Sequence, residues 1–189
     1  MGGRIYLTTP LETGTLEKLH IGDRVLISGI VYSARDAAHQ RLVQLIADNQ
    51  PLPVDFNGQI MYYMGPSPAK PGQAIGAAGP TSSYRMDAYT PALIEKGLKG
   101  MIGKGARNAA VKTAMQQHKA VYFAAIGGAG ALISKCILAA EVIAYPDLGT
   151  EALRRLTVKD FPVFVANDVH GGDLYEQGIK DYARKPVLG

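Results

Sequence analysis

Hydrophobic and polar positions change their spacing several times along the chain, and each change predicts a new element. Runs rich in β-branched and aromatic residues predict strands, whereas apolar residues that recur every three or four positions predict helices. The predicted strands are 4–7, 24–32, 59–64, 100–102, 120–126, 141–145 and 161–166. The predicted helices are 15–20, 37–47, 81–96, 108–118, 131–138 and 151–156. Strands that alternate with helices between residues 24 and 166 indicate an α/β fold.

Glycine and proline mark the breaks in this pattern. Gly29 interrupts a strand, where it predicts a bulge or a close approach of another backbone. Residues 65–79 hold three prolines and four glycines, which predicts a long, shaped loop of the kind that is often functional. Because the sequence contains no internal repeat, we expect a single domain over residues 1–189. Its polar end, residues 176–189, is expected to be a loose tail.

Composition narrows the classes of function. The chain has 189 residues, of which 47% are hydrophobic and 19% charged, as expected for a globular protein with a core. The net charge of +4 favours small anionic ligands, since no dense basic stripe predicts nucleic-acid binding. A single cysteine, Cys136, can form neither an internal disulfide nor a set of thiolate metal ligands, which favours the cytoplasm. No apolar run is long enough to span a membrane.

Most of the candidate chemistry lies in residues 79–105. Thr81 to Ser83 follow a Gly-Pro break and predict a capped helix start, whose free N–H groups suit an anion. Arg85, four residues after Thr81, adds a guanidinium group that can hold a carboxylate through two parallel hydrogen bonds. Lys104 stands between two glycines, which let the backbone approach a ligand closely, and the lysine adds a positive charge. The same features are also typical of a capped surface helix followed by a strand and a tight turn.

Arg35 is a third cation beside a helix start, because the next residue, Asp36, can cap the helix predicted from residue 37. Neither Arg35, Arg85 nor Lys104 has the neighbours of an ordinary surface cation. If the three side chains meet in one pocket, they match a small dicarboxylate, with positive charge for each end. A sequence alone does not show whether they meet.

Other motifs have structural explanations. His39 and His170 are candidate general bases, although an isolated histidine is more often structural. Cys136 lies in a predicted apolar helix and is expected to be a core residue. Residues 127–130, Gly-Gly-Ala-Gly, lack the further glycine of a dinucleotide site and predict a tight turn. Apart from Lys104, the cations between residues 96 and 112, Arg107 among them, are expected to be solvated surface.

Six motifs together resemble a known family: SARDAAHQR, YYMGPSPAKPG, GPTSSYRMDAYTP, GMIGKG, AAIGGAGALIS and FPVFVANDVHGGDLY. They are similar to the β subunit of the two-subunit class I, iron–sulfur fumarate hydratases. The C-terminal half of single-chain class I fumarases and the tartrate dehydratase β subunit are related. The likeness runs over roughly residues 4–176. It implies a single swivelling β/β/α domain and a hydro-lyase that interconverts fumarate and (S)-malate.

The resemblance also implies roles for individual residues. Arg35, Ser82, Arg85 and Lys104 match positions that contact the substrate, and Thr81 matches the residue that takes up the proton. The family often has Thr-Thr where this chain has Thr81-Ser82, and both pairs keep the hydroxyl. No metal ligand is expected in this chain.

The implied partner is an α subunit that carries a [4Fe-4S] cluster, so we expect a hetero-oligomer, or a homodimer when the chain is isolated. Nucleic acid and membranes are not expected partners. Two alternatives within the same chemistry remain, a tartrate dehydratase β subunit and a mesaconate hydratase β subunit. From another class, a non-catalytic dicarboxylate-binding or regulatory module remains open. A nucleic-acid-binding domain would require strongly salt-dependent binding.

Overall fold

The computed structural model describes residues 3–183 and, within them, places seven strands in one sheet. The strands are β1 (Ile5–Thr8), β2 (Arg24–Ser33), β3 (Ile60–Tyr62), β4 (Gly100–Gly103), β5 (Val121–Ala124), β6 (Ile137–Ala144) and β7 (Leu153–Asn167). The α-helices are α1 (Thr13–Leu16), α2 (Asp36–Ala47), α3 (Thr90–Glu95), α4 (Ala109–His118), α5 (Gly130–Ile133) and α6 (Leu174–Tyr182). Short 3-10 helices cover Ser83–Met86, Ser134–Cys136 and Pro146–Glu151. This mixed architecture confirms the α/β prediction.

Strands β1 to β5 lie side by side and run parallel, whereas β7 runs antiparallel to β2, β5 and β6. Because β7 is 15 residues long, it pairs with both β5 and β2 and closes these strands into a ring. The parallel strands β2 to β5 all end at one side of the sheet, which we call the carboxyl edge. In α/β sheets, ligands are commonly bound beyond this edge.

Two apolar cores lie on opposite faces of the parallel strands. Side chains alternate between the faces with period two, so Ile60 and Tyr62 enter the first core and Met61 and Tyr63 enter the second. The first core is filled from β2 and β7, and the second is covered by helices α2, α3 and α4. Helix α4 begins where Asn108 accepts a hydrogen bond from Val111 N, at 2.9 Å. The helices therefore cover one face and leave the carboxyl edge open.

Gly29 has the predicted role. The register of β2 on β7 shifts between Ile27 and Gly29, the φ of Gly29 is +110°, and a Cβ there would clash with Thr9. A residue with a side chain would be strained at this φ and would displace the segment that follows β1.

Two predicted helices are wrong. Residues 131–138 form only one turn of α5 and a 3-10 turn before β6 begins at Ile137. Residues 153–156 belong to β7, where Leu156 pairs with Val31 of β2 and with Ala140 of β6. Pairing on both sides fixes this segment as a strand whatever its local helix propensity. Helix α6 begins two residues before the segment expected to be loose and continues through it to Tyr182, and residues 184–189 lie outside the described residues.

Among the described residues, no helix is both long enough and apolar enough to cross a membrane.

Candidate active site

The chain from Thr81 to Ser83 runs along Lys104 at the carboxyl edge. Ser82 and Lys104 form an isolated parallel bridge, in which Lys104 N donates to Thr81 O (3.3 Å) and Ser83 N to Lys104 O (2.9 Å). The loop after β3 is joined too, since Thr81 N donates to the carbonyl of Tyr63 at 2.7 Å. The structure therefore brings Thr81, Ser82 and Lys104 together although 22 residues separate the partners of the bridge.

The single capped helix predicted over residues 81–96 is wrong. Residues Ser83–Met86 form a 3-10 turn without a side-chain cap, and α3 begins only at Thr90, with a proline in its first turn. The extended pairing with Tyr63 and Lys104 occupies the N–H groups of Thr81 and Ser83, which a helix start would leave free. These two groups therefore do not form the predicted anion site at a helix N-terminus. The candidate binding groups of this segment are its side chains.

Arg35 and Arg85 meet at one carboxylate. Arg85 Nε donates to Asp36 Oδ1 at 2.9 Å, and Arg35 Nε lies 3.8 Å from Asp36 Oδ2. Arg35 is the N-cap residue of α2, two residues after the end of β2, and Asp36 is the first residue of that helix. Asp36 is thus not the helix cap that the sequence predicts, because its carboxylate is turned towards the two guanidinium groups. The predicted convergence of Arg35 and Arg85 is observed, and their roles towards a ligand stay predictions.

Glu151 is a member of this cluster that the sequence did not indicate. Its Oε1 lies 3.3 Å from Arg35 Nη2, and its Oε2 accepts a hydrogen bond from Ala37 N at 3.0 Å. One carboxylate therefore caps α2 and holds Arg35. It reaches the helix from 114 residues away in the chain, so no local pattern signals it.

Among Thr81, Ser82, Arg85 and Lys104, five polar side-chain groups have no hydrogen-bond partner within residues 3–183. They are the hydroxyls of Thr81 and Ser82, the two terminal nitrogens of Arg85 and the ammonium of Lys104. The Arg85 side chain is 39% exposed, and its Nε is held by Asp36 while its terminal nitrogens are unpaired among the described residues. Such an edge can donate two parallel hydrogen bonds to a carboxylate. The arrangement is a set of donors that faces outward at one edge of the sheet.

Glycines on both sides of Lys104 make this geometry feasible. A Cβ on Gly103 would overlap the hydroxyl of Ser83. That hydroxyl is 2.8 Å from Tyr122 OH. Because the phenol donates its own proton to Gly105 O, Ser83 is the donor to Tyr122. Gly105 has a φ of +81°, a conformation that favours glycine. The Lys104 stem also passes Gly127, whose Cβ would lie 3.8 Å from its Cδ. The two glycines thus let the chain at Lys104 pack closely against neighbouring residues, and a close approach of this backbone to a ligand stays a prediction.

A buried ion pair supports the segment that carries these donors, and it corrects the expectation that Arg107 is surface. Arg107 is only 4% exposed, and its Nε donates to Asp87 at 2.7 Å. Its guanidinium lies between the rings of Tyr63 and Tyr122, 5.2 and 5.0 Å from their centroids. Burial opposes the charged form, but Tyr63 and Asp87 hold the pKa of Arg107 above its ordinary value. The pair fastens residues 83–90 to the sheet.

His39 holds the backbone of Arg35. Its Nδ1 donates to the Arg35 carbonyl at 2.8 Å, and its ring packs edge-on against Tyr63. The side chain is fully buried, and burial lowers its pKa to about 4. A buried, neutral imidazole bonded to the backbone is structural. This position gives no support for His39 as a general base.

We expect His39 to make folding stability fall with pH below about 6.5. The unfolded chain has a histidine of ordinary pKa, 6.5, whereas the folded pKa is about 4, so protons favour the unfolded state. This contribution is complete above pH 6.5 and is lost as the pH falls towards 4, up to ~3 kcal/mol. Urea unfolding of the wild type and of His39→Gln between pH 7 and 4.5 measures the difference.

The exposed histidine variant His170→Gln is the control and should keep the wild-type slope. An unchanged slope in His39→Gln would contradict the assignment. His170 itself stacks on His20 with ring centroids 5.0 Å apart and bonds to Glu17 O, next to the segment that precedes β2. That is the end of the sheet opposite the carboxyl edge. His170 therefore does not join the candidate site.

The residues that the structure describes do not fit a metal centre. Within residues 3–183, no three His, Cys, Asp or Glu side chains are grouped as metal ligands. The single cysteine, Cys136, is partly buried against the first core, and burial raises the pKa of its thiol, which disfavours the thiolate that binds metals. One such thiol cannot hold an iron–sulfur cluster.

The fold and this site agree with a family assignment. The chain belongs to the family described as "Fumarase C-terminus", whose model matches residues 2–178.

Individual relatives carry two kinds of name. The anaerobic class I fumarate hydratase of Escherichia coli K12 is 35% identical over 178 residues, which are 92% of this chain and 32% of that protein. Fumarate hydratase 2 of Leishmania major is 34% identical over 166 residues, 87% of this chain and 29% of that protein. The L(+)-tartrate dehydratase subunit beta of Escherichia coli K12 is 31% identical over 189 residues, 96% of this chain and 92% of that subunit. The chain spans about a third of the length of the curated fumarate hydratases that it matches.

Proposed function

We propose that this chain is the β subunit of a two-subunit class I fumarate hydratase, which hydrates fumarate reversibly to (S)-malate together with an α subunit. The observation that carries the proposal is the meeting of Arg35 and Arg85 at Asp36, beside the bridge that joins Ser82 to Lys104. The match covers 92% of the tartrate dehydratase β subunit, which supports the proposal that this chain is likewise a separate subunit. The two cores on either face of the parallel strands support a swivelling β/β/α domain.

In this proposal the cations bind a dicarboxylate, a substrate with one carboxylate at each end. The free terminal nitrogens of Arg85 would grip one carboxylate, and Arg35 and Lys104 would supply positive charge around the other parts of the substrate. Loss of a proton beside a carboxylate builds negative charge on that group. Fixed cations therefore stabilise the transition state more than the ground state. Ser82 adds a hydroxyl donor next to Lys104.

Thr81 would move the proton. Its hydroxyl has no hydrogen-bond partner within the described residues, and its backbone is held on both sides by Tyr63 and Lys104. A threonine hydroxyl is a weak base in water, so it needs a neighbouring acceptor. We infer that a carboxylate of the α subunit provides this acceptor. The position of Thr81 at an open edge is compatible with a partner chain that closes the site.

The [4Fe-4S] cluster that the family resemblance implies would have to be carried by the α subunit, because this chain has one cysteine. Three large apolar residues in the segments around the site are exposed, Tyr84 (70%), Ile126 (62%) and Leu132 (66%). Exposed apolar side chains around a polar site are typical of a surface that another protein covers. We propose that the α subunit covers them in a hetero-oligomer.

The experiment is reconstitution with the α subunit. We expect fumarate and (S)-malate to interconvert only when both chains are present, and either chain alone to be inactive. Preferential turnover of L(+)-tartrate would favour the tartrate dehydratase alternative. The match to 92% of the L(+)-tartrate dehydratase subunit beta is the observation that favours this alternative. Binding of malate without turnover of either acid by the reconstituted pair would instead identify a dicarboxylate-binding module.

A further inference from the structure

We propose that Asp36 is a positioning residue that fixes both guanidinium groups of the site. The inference rests on the proposed function, since it assigns a role within the same site. Asp36 lies between the two arginines, with Arg85 Nε at 2.9 Å and Arg35 Nε at 3.8 Å. Asp36 does not touch the outward-facing donors of Arg85. It therefore acts through the arginines and not on the substrate.

The nitrogen of Arg85 that Asp36 binds determines which edge of the guanidinium group remains free. A guanidinium can bind a carboxylate through Nε and one terminal nitrogen or through both terminal nitrogens. Because Asp36 occupies Nε, only the end with two terminal nitrogens remains for a ligand. The two terminal nitrogens, at the far end of the Arg85 side chain, are thereby the edge that can bind a ligand. Without Asp36, Arg85 would sample several orientations and lose part of its preorganisation.

The contact to Arg35 is incomplete. Arg35 Nε and Asp36 Oδ2 are both buried and make no hydrogen bond among the described residues, although they are 3.8 Å apart. Glu151 holds the other end of Arg35 through Nη2 at 3.3 Å. Two carboxylates thus constrain the two guanidinium groups. They also offset their charge, so Lys104 is the cation of the site that no acid pairs within residues 3–183.

A purely structural role for Asp36 has a different signature. An acidic residue in the first turn of a helix stabilises that helix through the dipole, and Asp36 is in the first turn of α2. That role would affect stability and the amount of folded enzyme, whatever residue stands at position 85. A positioning role depends on the arginines. The two roles are therefore separated by removing Arg85 as well.

The test uses Asp36→Asn in the enzyme assembled with its α subunit. The variant keeps the shape and one acceptor oxygen but loses the charge that serves both arginines. We expect kcat to fall about 10- to 100-fold, because the arginines are no longer held in one orientation. KM should stay within about threefold, because the lost orientation is offset by a weaker repulsion between residue 36 and the dianionic substrate. In the Arg85→Ala background, the same change should cost less than about threefold, since its main partner is absent.

The matched control is Asp147→Asn, which breaks the ion pair of Asp147 with Arg41, a residue of the same helix α2. It should leave kcat and KM unchanged. An equal effect of Asp36→Asn in the wild-type and Arg85→Ala backgrounds would overturn the positioning role. A rise in KM with unchanged kcat would overturn it as well.

A second measurement does not depend on activity. In the full-length chain labelled with ¹⁵N, the Nε–H signal of Arg85 should be protected from exchange in the wild type and in Asp147→Asn. It should lose this protection in Asp36→Ala, which removes both acceptor oxygens of residue 36. Retained protection in Asp36→Ala would refute the inference. An inactive wild-type pair would refute the proposed function alone, because the Nε–H signal still reports whether Asp36 fixes the guanidinium.

Discussion

Replacement of Arg85 by alanine is expected to lower kcat/KM of the assembled enzyme by roughly 100-fold or more. The change removes a charge-assisted pair of hydrogen bonds, which corresponds to about 3 kcal/mol of transition-state binding. It also removes the partner of Asp36, whose carboxylate then loses its 2.9 Å contact with Nε. Steady-state kinetics with fumarate and with malate measure the effect.

Two companion variants show whether the loss is specific to the site. Arg85→Lys keeps a positive charge but has no planar fork, so we expect an intermediate loss of activity. Arg41→Ala removes an exposed arginine of helix α2 that pairs with Asp147, and it should retain wild-type kinetics. Near wild-type turnover in Arg85→Ala would show that this arginine does not bind the substrate.

The Arg107→Met variant is expected to lower the free energy of unfolding by about 3–5 kcal/mol. The reason is that Asp87 would remain buried without its partner, since its other oxygen is bonded only to Asn108 N at 2.8 Å. The melting temperature should fall by roughly 10 °C, given about 2–4 °C per kcal/mol for a chain of this size. Urea unfolding and thermal melts of the isolated chain measure both quantities.

The pair can also be replaced as a whole. The double variant Arg107→Met/Asp87→Leu leaves no buried charge and should regain part of the lost stability. An exposed pair serves as control, because Arg41→Met should leave the free energy of unfolding close to the wild-type value. If Arg107→Met is within 1 kcal/mol of the wild type, the pair does not fasten residues 83–90 as the structure indicates.

The sequence predicted the strands of the sheet better than its helices. Runs of β-branched and apolar residues located β2 and β5 within a few residues, because a strand with an apolar core on each face is a short, nearly continuous apolar run. The helix predicted over residues 151–156 failed for the opposite reason. Its residues have no strong strand pattern, and pairing with β2 on one side and β6 on the other decides their conformation.

The sequence by itself determined which chemical groups this protein has: three cations beside breaks in the chain, two adjacent hydroxyls, glycines around Lys104 and a single cysteine. Only the tertiary structure decided which groups meet. Asp36 contacts Arg85 across 49 residues, Glu151 reaches the start of α2 across 114, and Arg107 is buried with Asp87 although its neighbours suggest surface. Local periodicity reports how a segment packs, whereas the partner of a carboxylate depends on how the strands close into a ring, which no single segment encodes.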